Sequence, residues 1–186
     1  MNFNSILLLD ARLSDRMRVA EKPGFLRTLA IFFAHSGDSW FWGLGLILVW
    51  LQGQAFWKRW SILELVGISV LAALVLGLKF SIRRRRPEGD WGGIYRNTDP
   101  HSFPSGHAAR AFMIATAAIG MGPLPLALAL SVWAPLVALA RVAMGVHYLS
   151  DIVAGFGLGI LMGLIVLHVE QPLLLYFSSI FKFPLW

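Results

Sequence analysis

The chain consists mainly of long runs of apolar residues separated by short polar segments. Five runs are long enough to cross about 30 Å of hydrocarbon as helices, at about 1.5 Å of rise per residue. We place these runs at Ser39–Trp57, Ser61–Ile82, Ser105–Met121, Leu124–Met144 and Leu149–His168. The pattern therefore predicts an all-α, polytopic transmembrane helix bundle with five spans.

The N-terminal residues 1–36 show a different pattern, in which apolar and charged positions are mixed. This mixture predicts an amphipathic helical segment that lies at the membrane interface. The alternative is a sixth span within residues 5–36, which would have to be a polar, broken helix. We interpret residues 1–186 as a single membrane-embedded domain, with the helix bundle over 37–169 and a C-terminal tail over 170–186.

Composition and charge narrow the range of partners. Hydrophobic residues make up 57% of the 186 positions, and the formal net charge is +6. A basic protein of this kind suits an anionic membrane surface or a phosphorylated substrate. We expect no nucleic-acid partner, because the apolar runs leave little soluble surface. The absence of cysteine excludes disulfides and thiolate chemistry, and the pattern predicts no particular oligomeric state.

Three polar clusters lie at the ends of predicted spans. They are Lys79 with Arg86 and Pro87, then Pro104 to His107, and finally Arg141 with His147 and Asp151. Because successive spans run in opposite directions, all three clusters fall on the same face of the membrane. Ionisable residues at membrane depth are costly and by default indicate a functional site.

The residue types in these clusters are suited to binding an anion. Lys79, Arg86 and Arg141 are fixed cations, and arginine matches phosphate oxygens in a bidentate fork. Ser105 and Gly106 stand at the start of a helix, where free backbone N–H groups and the helix dipole favour negative charge. These five residues therefore predict a phosphate-binding cradle.

Two histidines and one aspartate add catalytic chemistry to the cradle. His147 and Asp151 are four residues apart, so Asp151 can fix the tautomer of His147 and leave its other nitrogen as a nucleophile. His107 comes from another helix and can protonate the leaving oxygen, then activate water. The clusters have neither the carboxylates of a magnesium site nor the histidine spacing of a zinc site. We therefore expect no metal and no cofactor.

Several nearby polar residues have simpler interpretations. The neighbours of Arg86, from Arg83 to Arg85, are typical of a charge cluster that sets membrane topology. Arg110 is interpreted as surface or loop support rather than a phosphate ligand. Asp38 is interpreted as a helix cap at the start of the first span. The glycines at 155, 159 and 163 form one small-residue stripe, which predicts close helix packing.

The three clusters resemble the motifs of the type 2 phosphatidic acid phosphatase family, whose superfamily includes bacterial acid phosphatases and vanadium haloperoxidases. The family pattern is K-x6-RP, then PSGH, then SR-x5-H-x3-D. The chain matches the first two motifs fully and the third with one departure, because Ala140 stands where serine is usual. The resemblance implies that His147 is the nucleophile, that His107 is the acid and that the cations bind phosphate.

The resemblance also implies a function and a place in the cell. We expect metal-independent hydrolysis of a lipid phosphate or diphosphate through a phosphohistidine, with undecaprenyl diphosphate, phosphatidylglycerol phosphate, phosphatidic acid or a phosphorylated saccharolipid as substrate. A lipid phosphotransferase and a non-catalytic lipid-binding protein are the alternatives. The protein is expected in the bacterial plasma membrane. Positive charge on the site face favours a cytoplasmic site, whereas the family resemblance favours an outward-facing one.

Overall fold

The computed structural model of the chain describes residues 3–89, 91 and 99–181, and these residues form seven α-helices with no named strand. Residues 90 and 92–98, between the second and third predicted spans, and residues 182–186 of the predicted tail lie outside the described residues. The helices are α1 (Phe3–Arg16), α2 (Phe25–Ser36), α3 (Ser39–Gln52), α4 (Ala55–Ile82), α5 (Gly106–Met121), α6 (Leu124–Ala143) and α7 (Leu149–Ile180). The prediction of an all-helical protein is confirmed.

The first predicted span is shorter than expected, because the chain turns at Gly53. The Gly53 N–H donates to the carbonyl of Val49 at 2.7 Å, and α4 begins two residues later. A Cβ at Gly53 would lie 2.4 Å from the Val49 oxygen, so only glycine fits this turn. The predicted boundaries Ser39–Trp57 and Ser61–Ile82 were therefore wrong at this point, and Trp57 belongs to α4.

The last helix is longer than predicted. It passes His168 and continues through Pro172 to Ile180, so much of the predicted tail is helical. Leu174, beyond the expected end, is buried in a cluster with Leu63 and Val166. The polar residues near His168 had suggested that the helix would end there. Packing of Leu174 against α4 stabilises the additional turns.

Helix α5 forms the centre of the bundle and packs against α4, α6 and α7. Its side chains from Ala108 to Ala118 are mostly alanines and mostly buried. Helix α7 approaches closely through its glycine stripe: a Cβ at Gly159 would lie 2.3 Å from the Ala109 carbonyl oxygen, and one at Gly155 would lie 2.7 Å from that of Ser105. The predicted small-residue contact therefore sets the distance between the two helices that begin at the site.

The outer surface of the bundle is strongly apolar. Large side chains such as Leu128, Val132 and Val153 are more than half exposed. Among the described helices, α4, α6 and α7 are long and apolar enough to cross a membrane, whereas α2 and α3 are shorter apolar helices. An apolar exterior of this kind is typical of a protein that has lipid as its solvent.

The N-terminal segment forms two helices, with α2 packed on α6 and α1 packed on α6 and α7. The chain leaves α1 at Arg16 and begins α2 only at Phe25, after Pro23 and Gly24. Residues 1–36 are therefore not one continuous helix. Helix α1 lies at the end of the bundle that carries the polar clusters.

Candidate active site

The site is built where α4 and α6 end and where α5 and α7 begin. A cavity of about 270 Å³ lies there, and its polar lining includes Lys79, Gly106, His107, Arg141 and His147. Arg86 lies 3.3 Å from His147, and Ser105 is hydrogen-bonded to Asp151. The structure thus brings together all eight residues that the sequence selected.

His147 lies in the short connection between α6 and α7 and is 1% exposed. Its Nδ1 lies 3.4 Å from Asp151 Oδ2, and its Nε2 lies 3.3 Å from Arg86 Nη1. Burial lowers the pKa of His147 to about 4, with Arg86 and Arg141 acting in the same direction and Asp151 opposing them. His147 is therefore neutral near pH 7, and with Nδ1–H directed at Asp151 the lone pair lies on Nε2, the nitrogen beside Arg86.

Asp151 is fully buried at the start of α7 and is held from two sides. The backbone N–H of Tyr148 donates to its Oδ2 at 2.8 Å, and Arg84 Nη1 donates to its Oδ1 at 2.7 Å. Arg84 was interpreted as a topology-setting charge, and that interpretation missed this contact. Arg84 and Arg86 both turn inward while Arg85 is exposed, because the segment is extended and neighbouring side chains alternate.

Helix α1 completes the start of α7 with two side chains that the sequence analysis did not select. The hydroxyl of Ser14 accepts from the backbone N–H of Leu149 at 2.9 Å, and Asp10 Oδ1 accepts from that of Ser150 at 3.0 Å. Arg84 Nη2 also donates to Asp10 at 2.7 Å. The first N–H groups of a helix have no partner within it, so these side chains of α1 cap the helix that carries Asp151.

Asp99 is a further residue of the site that the sequence analysis did not select. Its carboxylate accepts from Arg86 Nη2 at 2.8 Å and forms an ion pair with Lys79. Burial by itself would raise the pKa of Asp99, but these two cations outweigh it and hold the pKa below the usual range. A carboxylate therefore pairs with two of the three cations that were predicted to bind phosphate.

The start of α5 differs in one detail from the predicted anion cradle. The Ser105 N–H donates to the carbonyl of Asp151 at 3.1 Å, so it does not point at an anion. The Ser105 hydroxyl accepts from the N–H of Ala108 at 3.4 Å and caps α5. Gly106, in contrast, lines the cavity. Ser105 thus links the two helix starts, while Gly106 lies where a ligand would contact it.

His107 also lines the cavity and is paired with Asp38. His107 Nε2 and Asp38 Oδ1 are 2.8 Å apart, and the other oxygen of Asp38 lies 3.2 Å from His35 Nδ1. Asp38 precedes α3 but makes no side-chain capping bond, so the cap interpretation was wrong. Burial alone would raise the pKa of Asp38, but the hydrogen bonds from His107 and His35 outweigh it and hold the pKa below its usual value.

Two arginines complete the surroundings of the cavity. Arg141 is 2% exposed and lines the cavity from the end of α6. Arg110 is also buried, and it donates to the carbonyl of Gly37 and the hydroxyl of Ser39. These bonds are consistent with the predicted role of Arg110 in loop support, but Arg110 is buried rather than at the surface. Ala140, where the related motif has serine, is buried in an apolar cluster with Ala20, Ala34 and Met144.

Comparison with known proteins identifies the family to which this arrangement belongs. A family model described as the PAP2 superfamily matches residues 58–174, which is more than half of the chain. The chain belongs to the PAP2 superfamily. The matched range includes Lys79, Arg86, His107, Arg141 and His147, so the family match covers the cavity described above.

Individual relatives of this PAP2 protein agree with the assignment. It is 34% identical over 154 residues to the decaprenylphosphoryl-5-phosphoribose phosphatase of Mycobacterium tuberculosis, covering 80% of this chain and 82% of the relative. It superposes on a PAP2-type phosphatidylglycerolphosphate phosphatase from Bacillus subtilis with a TM-score of 0.69 at 25% identity, covering 92% and 89% of the two chains. It superposes on Aquifex aeolicus LpxE with a TM-score of 0.67 at 26% identity, covering 86% and 95%. The chain is an integral membrane phosphatase.

We expect Asp99→Asn to bind orthovanadate, a mimic of phosphate in transfer, about 10-fold more tightly, because a hydrogen bond to a charged group contributes about 1.5–3 kcal/mol. The variant removes one carboxylate that pairs with Lys79 and Arg86. Removing a counter-charge destabilises buried cations, and an incoming anion relieves this. The measurement is the inhibition constant of vanadate. Glu88→Gln removes a carboxylate from the same polar connection and is the control. Equal or weaker inhibition of Asp99→Asn would show that Asp99 supports the cations rather than competes for them.

Proposed function

We propose that the protein hydrolyses the phosphate group of a membrane lipid through a phosphohistidine at His147. The observation that carries this proposal is the pair of histidines on one cavity. His147 presents Nε2 beside Arg86, and His107 lies on the same cavity with its own carboxylate partner. A histidine nucleophile requires an unprotonated ring nitrogen, and an acid–base group requires a second titratable side chain that reaches the same ligand. Each of the two histidines also has its own carboxylate partner, Asp151 for His147 and Asp38 for His107.

In the first step, His147 Nε2 attacks phosphorus and the bond from phosphorus to the leaving oxygen breaks. Lys79, Arg86 and Arg141 balance the charge on the phosphoryl oxygens, and Gly106 lies at the positive end of a helix dipole. His107 gives its proton to the leaving oxygen. Asp151 stabilises the positive charge that develops on His147, in the role of the orienting carboxylate of a catalytic triad.

In the second step, a water molecule enters on the side that the alcohol has left. His107, now neutral, takes a proton from the water as the oxygen attacks phosphorus. The bond from phosphorus to His147 Nε2 breaks, and inorganic phosphate is released. Both histidines return to their starting protonation states, so the cycle consumes only the phosphate ester and water.

The lining of the cavity supports a lipid as the substrate. Beside the polar groups, α4 contributes an apolar strip that consists of Ile68, Leu71, Ala72, Val75 and Leu76. Lys79 continues this strip one helical turn after Val75. A phosphate bound at the cations would therefore place its hydrocarbon chain along α4. The named relatives, a decaprenylphosphoryl-5-phosphoribose phosphatase and a phosphatidylglycerolphosphate phosphatase, carry names consistent with this class of substrate.

The proposal includes five spans in a bacterial plasma membrane. They are α4, α6 and α7, which are long enough to cross it, and the shorter helices α3 and α5, which continue the alternation of direction. The alternating directions of these helices would place the ends that carry the site on one face. The relatives named above come from bacteria. We retain the outward-facing site that the family resemblance implies.

The test is phosphate release from a panel of lipids by the purified protein in detergent with excess EDTA. The panel contains phosphatidic acid, phosphatidylglycerol phosphate, undecaprenyl diphosphate and a phosphorylated glycolipid. We expect at least one to be hydrolysed with EDTA present, because the site offers cations where a metal-dependent phosphatase has carboxylate ligands. Loss of activity in EDTA with recovery in magnesium would contradict this mechanism, and release from none of the lipids would contradict the substrate class.

A further inference from the structure

The contact between His107 and Asp38 has no counterpart in the motifs that define the site. Asp38 lies 69 residues before His107, in the short connection between α2 and α3. Its Oδ1 approaches His107 Nε2 to 2.8 Å. The engaged nitrogen is therefore Nε2, which leaves Nδ1 as the nitrogen of His107 that can serve a leaving oxygen.

A second contact holds Asp38 in place. Arg110 lies one turn after His107 on α5 and is nearly fully buried. Its guanidinium donates to the Gly37 carbonyl through Nε at 3.0 Å and to the Ser39 hydroxyl through Nη1. The residues on both sides of Asp38 are thus bound by the helix that carries His107. A Cβ at Gly37 would lie 2.7 Å from Val137 Cγ1, so the connection is also packed tightly against α6.

We propose that Asp38 is the positioning residue for His107, and that Arg110 supports it by binding Gly37 and Ser39. This inference rests on the proposed function, in which His107 protonates the leaving oxygen. Asp38 accepts the Nε2–H of His107 and stabilises the imidazolium. When Nδ1 has transferred its proton to the leaving oxygen, the Nε2–H bond to Asp38 remains. The site then contains two histidine–carboxylate pairs, one for the nucleophile and one for the acid.

The charged and titratable groups around this pair include two arginines and a histidine, and Lys79, Asp99 and His147 line the same cavity. Arg110 lies on α5 beside His107, and Arg141 faces the same cavity from the end of α6. His35, at the end of α2, contacts the second oxygen of Asp38 and is about half exposed. The two arginines oppose protonation of His107, and Asp38 is the carboxylate bonded to it. Removing the charge of Asp38 should therefore make His107 less able to carry the proton that it donates to the leaving oxygen.

The experiment compares two substrates that have the same hydrocarbon chain and different leaving groups. One is an alkyl phosphate, whose leaving oxygen needs a proton, and the other is an alkyl-substituted nitrophenyl phosphate, whose leaving oxygen does not. General acid–base catalysis contributes about 10²–10⁴-fold, so we expect Asp38→Asn to lower kcat/KM for the alkyl ester by about 10- to 100-fold. For the nitrophenyl ester we expect a loss below about threefold on the same principle. The parameter kcat/KM reports the step up to phosphohistidine formation, which is the step that needs the acid.

Two further variants separate positioning from loop structure. Asp38→Glu keeps a carboxylate and should restore part of the alkyl ester activity. His35→Ala removes the other partner of Asp38 and should change neither substrate by more than about threefold, since the acid is untouched. Equal losses on both substrates for Asp38→Asn, or no loss on either, would overturn the proposal. So would a His35→Ala variant with the same selective loss.

The result remains decisive if Asp38→Asn does not fold. Arg110→Lys keeps the charge but cannot bind Gly37 and Ser39 together, and it should show the same selective loss on the alkyl ester. Equal losses on both substrates for Arg110→Lys would then overturn the proposal. If the wild-type protein hydrolyses neither substrate, the proposed function has failed. If it hydrolyses both and the variants show no selectivity, only the role of Asp38 has failed.

Discussion

His147→Gln is expected to lower kcat by about 10⁴-fold or more, because the loss of a nucleophile is rarely compensated by the rest of a site. Glutamine keeps much of the volume of histidine, and the site is so closely packed that His147 is 1% exposed. The amide cannot form the covalent intermediate, although Arg86 and Asp151 remain in place. Asp151→Asn should instead leave a slow enzyme, since it removes the orienting carboxylate and retains the attacking nitrogen.

The measurement combines steady-state phosphate release with rapid quenching of a radiolabelled lipid phosphate. Wild-type protein should retain label that is stable in alkali and labile in acid, as expected of a phosphohistidine, and His147→Gln should retain none. His168→Gln is the matched control, because His168 is an exposed histidine on the same α7, about 30 Å along the axis from its start at about 1.5 Å per residue. Turnover by His147→Gln within 10-fold of wild type would exclude His147 as the nucleophile.

The sequence predicted the main residues of the site because their positions follow from helix geometry. Lys79 lies in the last turn of one apolar run and Arg86 follows its end, while Asp151 lies just after the start of another. In an antiparallel bundle these ends must meet, so the pattern of spans brings together residues that are distant along the chain. The contact of His147 with Asp151 follows from a spacing of four residues.

The supporting carboxylates could not be predicted in this way. Asp10, Asp38 and Asp99 lie in polar segments with no periodic relation to the residues they contact. Their partners are 140, 69 and 20 positions away along the chain, at Ser150, His107 and Lys79 respectively. Each carboxylate can be explained locally as a cap or a surface charge. A count of buried cations against buried acids at the site would have been the available signal, since buried charges need partners.

Helix ends were predicted less well, for a related reason. Hydropathy reports whether a segment suits lipid, but the end of a helix depends on local backbone geometry and on tertiary contacts. Gly53 lies between Gln52 and Gln54, and the chain turns there and ends α3 inside the first predicted span. Leu174 extends α7 past a polar stretch because it packs against Leu63. Gln52 and Gln54 marked the first of these ends in the sequence, whereas the packing of Leu174 leaves no such mark.

The second large effect concerns the hydrocarbon chain of the substrate. We expect kcat/KM to rise by about fourfold for each added methylene, or about 200-fold for four, because burying one methylene contributes about 0.8 kcal/mol. The rise should stop when the apolar strip on α4 is covered. The series consists of alkyl phosphates of increasing length, each assayed below its critical micelle concentration at one fixed concentration of detergent.

A pair of variants on adjacent residues separates binding in the strip from partition into detergent. Ala72 lines the cavity, whereas its neighbour Ala73 is exposed and is not part of the lining. Partition into micelles affects every variant equally, so only a change in the protein can alter the dependence on chain length. Ala72→Phe fills the strip and should flatten the series, while Ala73→Phe should reproduce the wild-type slope. The same slope in all three proteins would mean that the strip does not bind the chain. A flat series in the wild type, with glycerol phosphate hydrolysed as well as the longest ester, would mean that the enzyme is a general phosphatase rather than a lipid phosphatase.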